Sequence, residues 1–433
     1  MRYYLGNIRS QLIVPQAQAP QPAQVIYGIK LDRTLNDNQP LGASWGTYTD
    51  DAIGFSPAYM DFINDVFVDN GWYNRWPFNE IKPCIVKDGA VIGYLDPDDY
   101  TKYADGTSAP ITDRTAGNVM VEIPKIYYKI STDAQYNYIQ ISNQNFTGAC
   151  CLAHVYKGQE VNRLYIDAYV TCASDYSTNG PYSVSGIEPV GNGVTISYQT
   201  VYPLIKSKRG QRCEPMTFNF VTLMGCLFAI MFGNTNARTC LGTGIYSYTT
   251  DGVYTGVYNQ KGLCYGQSGR AQGNPNLGRV KFLGLEDYYG AKITYFSGLY
   301  YDSNGNYRVI DPYDATQEYS MEGLDNFPTF SVNDNLKPIP NTGDLVAVKL
   351  SGINELGFWR TNQNVSATDV ASSSNTDVGF CSPQKLTSSS SYKVGQFAQG
   401  FGTAAGIYSI RTMATTNTTR RGFRIIYFPS VIS

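Results

Sequence analysis

Between Glu214 and Asn234 the chain reads EPMTFNFVTLMGCLFAIMFGN, the strongest helical signal in its 433 residues. Phe220, Leu223, Met224, Leu227, Ile230 and Met231 recur at the spacing of one helical face. Phe218, Val221, Cys226, Phe228 and Phe232 fill most of the remaining circumference. Thr217 or Asn219 is placed to cap the start, and Gly233-Asn234 supplies the stop. A helix apolar nearly all round belongs in a core. The run is shorter than the roughly 20 apolar residues that cross a bilayer, so no membrane insertion is expected. Strands and loops are expected to be built around this helix.

Composition supports that expectation. Tyrosine is the outlier, with 36 residues against 19 Phe and 4 Trp, and there are 42 Gly. Together they favour a β-rich, loop-rich α+β fold with few helices. Tyrosine suits a recognition surface, having a rigid apolar face and a polar tip; it equally fills half-wet β surfaces. Charge is sparse and nearly balanced at −2, without the basic stripe that a nucleic-acid partner requires.

Little in the sequence points to catalysis. The nine cysteines include no C-x-x-C pair, so they read as reduced and structural in a protein made in a cytosol, with no metal and no cofactor. His154 is the single histidine and has no obvious partner in LAHVYKG, which argues for a structural role and against an ordinary hydrolase. Asp98/Asp99 and Glu286/Asp287 sit in turn-like sequence without a visible partner, as caps or solvated turns. Asp302 to Asn306 reads as a hairpin turn rather than a calcium loop. The chain is therefore not expected to be an enzyme. MRYYLGNIRS lacks the charged-then-apolar pattern of a signal peptide.

Along the chain, three parts are expected. Residues 1–30 form an N-terminal arm, with an apolar piece at Gln11 to Val14 and a Pro/Gln/Ala-rich stretch at 15–24 that is a tether or a docking peptide. Residues 31–117 form a small β-rich domain, including a short helix over Ser56 to Asn70 with Met60, Ile63, Val66 and Phe67 on one face. Residues 118–433 form the main domain, with a Gly/Tyr-rich insertion at about 238–280. Strands are expected at 82–86, 90–95, 118–129 with a break at Pro124, 163–171, 292–301, 307–310, 346–350, 355–359, 407–413 and 422–428. Lys206, Lys208, Arg209 and Arg212 are the densest basic patch, either an anion site or a solvated helix entry with ion pairs.

Several motifs carry a resemblance. PFNEIKPC (77–84), GYLDPDDY (93–100), KYADGT (102–107) and VMVEIPKIYYK (119–129) resemble a family of phage tail or fibre proteins that includes major-tropism-determinant-like members and targets of diversity-generating retroelements. GLEDYYG (284–290) resembles the start of that family's lectin-like sheet. GFR (422–424) resembles the closing strand of its C-type-lectin-like fold, a fold shared with formylglycine-generating enzymes. The likeness covers most of residues 25–428.

It implies a C-type-lectin-like domain over 118–433, preceded by a small virion-docking segment. Oxidation chemistry of the formylglycine-generating kind is not expected, since only Cys381 precedes GFR in that region. The implied function is that of a bacteriophage virion fibre or tail protein, made in the bacterial host cytoplasm. Its C-terminal surface would bind a host surface glycan or protein, and its partners would be other virion proteins and further copies of itself, as a homotrimer. The implied receptor-binding stretch, roughly 357–421, offers Trp359, Arg360, Asn362, Asn364, Tyr392, Tyr408, Arg411 and Asn417, with Phe397 and Phe401 beside them. For Phe401, Tyr408 and Arg411, core or sheet packing is an equal alternative. Tyr3, Tyr4, Leu12, Ile13 and Val14 would dock the arm to the particle. The other readings are a purely structural virion protein (capsid decoration, head fibre or tail hub) and an enzyme acting on surface glycans. On the lectin-like reading the apolar helix packs on a sheet closed by Gly422 to Phe428, and truncating that strand would unfold its surroundings.

Overall fold

The apolar stretch forms the helix Phe218–Phe232, and every one of its residues is buried. Thr217 has extended backbone, and its side chain accepts a hydrogen bond from the Phe220 N–H at 3.2 Å. Gly233 ends the helix at φ 60, a left-handed conformation that costs glycine little. The last carbonyls of a buried helix need donors from elsewhere. Gly46 N–H reaches Gly233 O at 2.8 Å and Ala58 N–H reaches Met231 O at 2.9 Å, which fastens early segments to the helix end. Thr217→Ala is expected to lower stability by about 1 kcal/mol, read from the urea midpoint.

The protein is described by a computed structural model over residues 23–32, 46–133, 135–171, 176–189, 198–235, 237–242, 244, 254–267, 278–290, 293–301, 307–320, 329–330, 350–353, 359–361, 393–397, 407, 410–414 and 421–430. Over these residues it is β-rich with few helices. A six-stranded sheet runs in the order Cys213–Pro215, Ile425–Tyr427, Arg163–Asp167, Asn118–Pro124, Lys82–Lys87, Ala90–Tyr94, all antiparallel. Val121, Ile123, Leu164, Ile166 and Ile85 belong to the main core, while Cys84, Val86, Met120 and Tyr165 form a smaller cluster. The sheet and the main core both continue across residue 118 without a break. A four-stranded sheet, Gly46–Asp50, Ile26–Asp32, Tyr136–Ser142, Tyr127–Thr132, adds Ile29, Leu31, Ile139 and Ile141 at the period of two that a sheet imposes.

A second six-stranded sheet is built on Ile293–Tyr301. Tyr307–Val309 pairs with its end as the expected hairpin, and Lys393–Phe397 lies on its other side. The expected last strand is split. Arg421–Phe423 runs parallel to Ile293–Tyr301 in this sheet, whereas Ile425–Tyr427 enters the first sheet between Arg163–Asp167 and Cys213–Pro215. Arg424 stands at the crossing from one sheet to the other.

Two local expectations change. Ser56 to Asn70 is not a helix: Tyr59–Asp61 and Val66–Val68 form a hairpin, with Asp61 opposite Val66. The Asp61 carboxylate accepts the Ile63 and Asn64 N–H groups, each at 3.0 Å, and Asp65 takes φ 55, so turn chemistry outweighs the helical spacing. Ile63, expected on a buried face, is 94% exposed. The segment before the buried helix is itself helical over Tyr198–Arg209, with Pro203 inside it.

Candidate functional site

The GLED and GFR motifs meet in one buried network of charge. The Arg424 guanidinium is fully buried and donates to the carbonyls of Asp167 and Ala168, each at 2.9 Å, and to that of Glu286. Asp167 accepts Arg209 Nη2 at 2.7 Å and the Ile425 N–H at 3.0 Å. Burial pushes the Asp167 carboxyl up and the Arg424 guanidinium down to about 10.

Glu286 and Asp287 are not solvated, and their partner is Arg279. Its Nη2 lies 2.8 Å from Glu286, and its Nε lies 2.9 Å from Asp287. Burial raises Glu286, with Arg279 opposing. Glu286 also caps the expected insertion, accepting the Gly256 and Tyr258 N–H groups at 2.7 Å each. Lys281, alongside, donates to Tyr258 O at 3.0 Å and sits 3.7 Å from the Tyr100 ring centre; burial lowers it to about 7. Apart from the buried Arg424 Nε, which has no partner among the described residues, the donors named here point at protein groups, so the network holds the two sheets and the insertion together rather than presenting chemistry to solvent.

The implied receptor-binding residues lie elsewhere. Trp359 and Arg360 are on the strand Trp359–Thr361, paired with Leu350–Ile353 in a separate ribbon, where Trp359 is in register with Ile353. Arg411 is on Ile410–Ala414, opposite Gln396 in the second six-stranded sheet. These three therefore occupy two different sheets. Asn362, Asn364, Tyr392, Phe401, Tyr408, Asn417 and the arm residues Tyr3, Tyr4, Leu12, Ile13 and Val14 lie outside the described residues, as does the 302–306 turn.

Most of the basic patch serves the fold. Lys206 pairs with Glu214, Arg209 with Asp167, and Arg212 donates to Phe428 O at 2.6 Å and Pro429 O at 3.0 Å. This is the ion-paired helix entry rather than an anion site. His154 is fully buried, its Nε2 3.4 Å from Ile123 O, and burial lowers its pKa to about 3. Among the described residues no three His, Cys, Asp or Glu side chains gather to hold a metal, and no helix is long and apolar enough to cross a membrane.

Two buried groups give stability a defined pH response. Burial raises Glu214 from 4.5 to about 7, so the folded chain keeps a proton that the unfolded chain has lost. Its contribution is present below about pH 4.5 and disappears as pH rises through 7, on the order of 3 kcal/mol in all. His154 acts in the opposite sense, because its contribution is present above pH 6.5 and is lost as pH falls towards 3. Urea midpoints across this range are expected to show the upper limb flattened in Glu214→Gln while the acid limb stays.

An open cleft of about 500 Å³ lies beside the outer strands of the first six-stranded sheet. Its lining includes Tyr73, Phe78, Asn79, Lys82, Tyr94 and Asp98. The Tyr94 hydroxyl donates to Glu122 at 2.8 Å, and Arg163 holds Glu122 at 2.9 Å, so the ring is oriented from behind. Sequence reasoning had Asp98 only as a turn residue and passed over Tyr94. The alternation of Arg279-Val280-Lys281-Phe282 before GLED was the available signal for the buried network. No family model matches this chain, and a search of curated proteins returns no match.

Proposed function

We propose that this chain is a bacteriophage virion protein, a tail- or head-fibre component with a C-type-lectin-like domain, whose C-terminal surface binds the host cell. The carrying observation is the position of Arg424. Ile310 and Phe423 are both buried in the core and both are fixed, and between them Tyr319 and Ile407 are core residues as well. Ile310 N–H bonds to Gly298 O, Phe423 O accepts from Thr171, and Arg424 locks the crossing. A long stretch of chain anchored in the core at these four positions suits recognition by loops, which function best when a scaffold positions them. Trp359, Arg360 and Arg411 fall between Ile310 and Phe423. The N-terminal arm would dock the protein to the particle, and assembly as a homotrimer would let individually weak sites act together.

The test is binding of the labelled full chain to a panel of bacterial strains. Residues 280–433 alone would lack the partners of Ile425–Tyr427, so that fragment is not the reagent. Saturable binding to some strains is expected, weakened about tenfold or more by Trp359→Ala or Arg360→Ala with unchanged unfolding midpoints. Absence of binding to every strain by the folded protein would favour a purely structural place on the particle.

A further inference from the structure

The cleft beside Tyr94 has the chemistry of a small binding site, and its described lining includes none of the implied receptor-binding residues. Tyr94 is 36% exposed although its hydroxyl is held by Glu122, so the phenol is pre-positioned with ring area left uncovered. Tyr73 adds aromatic surface to the same lining, which the buried Phe78 borders. Polar groups stand at the edge. The Asp98 backbone N–H is used locally by Asp96, but no described residue bonds its carboxylate or the Asn79 amide. The Lys82 ammonium lies 5.8 Å from the Tyr94 ring centre. One cation and one anion offset each other, so a strongly charged ligand gains little. The volume is within the roughly 300–1,000 Å³ of small-molecule sites.

A neutral sugar meets these conditions. The C–H face of a pyranose is apolar and packs on an aromatic ring, while vicinal hydroxyls need paired acceptors and donors at its rim. A carboxylate and a carboxamide provide them. We infer that this cleft binds a neutral saccharide unit, with Tyr94 as the stacking platform and Asp98 and Asn79 as hydroxyl partners. Oriented aromatic surface, polar groups not committed to other described residues and balanced charge coincide here.

The experiment is saturation-transfer NMR on the full chain with glucose, galactose, mannose and N-acetylglucosamine in turn. At least one sugar is expected to give a saturable signal. Tyr94→Ala should weaken it about tenfold or more, and Asp98→Asn severalfold, whereas Tyr94→Phe, which keeps the ring, should retain most of it. Unfolding midpoints of the variants separate lost binding from lost fold. No saturable signal with any of the four sugars, or binding unchanged in a folded Tyr94→Ala protein, would overturn the inference. Strain binding that depends on Trp359 and Arg360 is a separate readout, so failure here and failure of the host-binding proposal are distinguishable.

Discussion

Arg424→Met is expected to destabilise the chain severely. The substitution keeps a long unbranched side chain but removes every donor. The carbonyls of Asp167 and Glu286 would lose this buried partner, at about 1–3 kcal/mol for each group left unsatisfied, while the Ala168 carbonyl keeps the Glu286 N–H. Summed, that loss is a large fraction of the roughly 5–15 kcal/mol that holds a typical domain together. Asp167 would also lose a nearby positive charge while its carboxyl stays buried. The measurable outcome is a collapse in soluble yield and urea midpoint. Arg424→Lys should fall between the two, since an ammonium restores the charge but not the fork that spans three carbonyls. A midpoint for Arg424→Met close to that of the parent would show that the crossing between the sheets does not depend on this side chain.

Arg279→Met is expected to cost about 3–5 kcal/mol near neutral pH, because it leaves Glu286 and Asp287 buried without their counter-charge. The pH dependence identifies the cause. With Arg279 gone, the lowering influence on Glu286 is lost and burial acts unopposed by that charge, so the folded state holds protons that the unfolded state releases. Stability of the variant should therefore be greatest below about pH 4.5 and fall as pH rises. The deficit against the parent should be small at low pH and large near pH 8. Adding Glu286→Gln and Asp287→Asn should recover part of the loss. A deficit that does not change with pH would point to lost packing instead of stranded charge.

How much of this was legible beforehand depends on whether the deciding interactions are local. The buried helix was legible because its cap Thr217, its apolar circumference and its stop Gly233 lie within one short stretch. Pro124 ends one strand, and the next begins at Tyr127, as the sequence suggested. The Ser56 to Asn70 helix failed because Met60, Val66 and Phe67 fit either periodicity, and the choice fell to Asp61 and the left-handed Asp65. The final strand was placed correctly but not its division. Only partners more than 130 residues away, Asp167, Ala168 and Glu286, make Arg424 a crossing point. The Tyr94 cleft was not legible for the same reason, since it assembles Tyr73, Tyr94, Asp98 and Leu263 from separate turns and strands.

The strand Ile425–Tyr427 makes the first sheet one cooperative unit, in which the proposed recognition surface would be rooted. Amide hydrogen exchange on the intact protein tests it at Ile85, Val121, Ile166 and Ile426, which lie on four neighbouring strands of that sheet. All four amides are expected to open only with global unfolding, with free energies agreeing within about 1 kcal/mol. Rapid exchange at Ile426 while Ile85 and Val121 stay protected would show a detachable tail and contradict it.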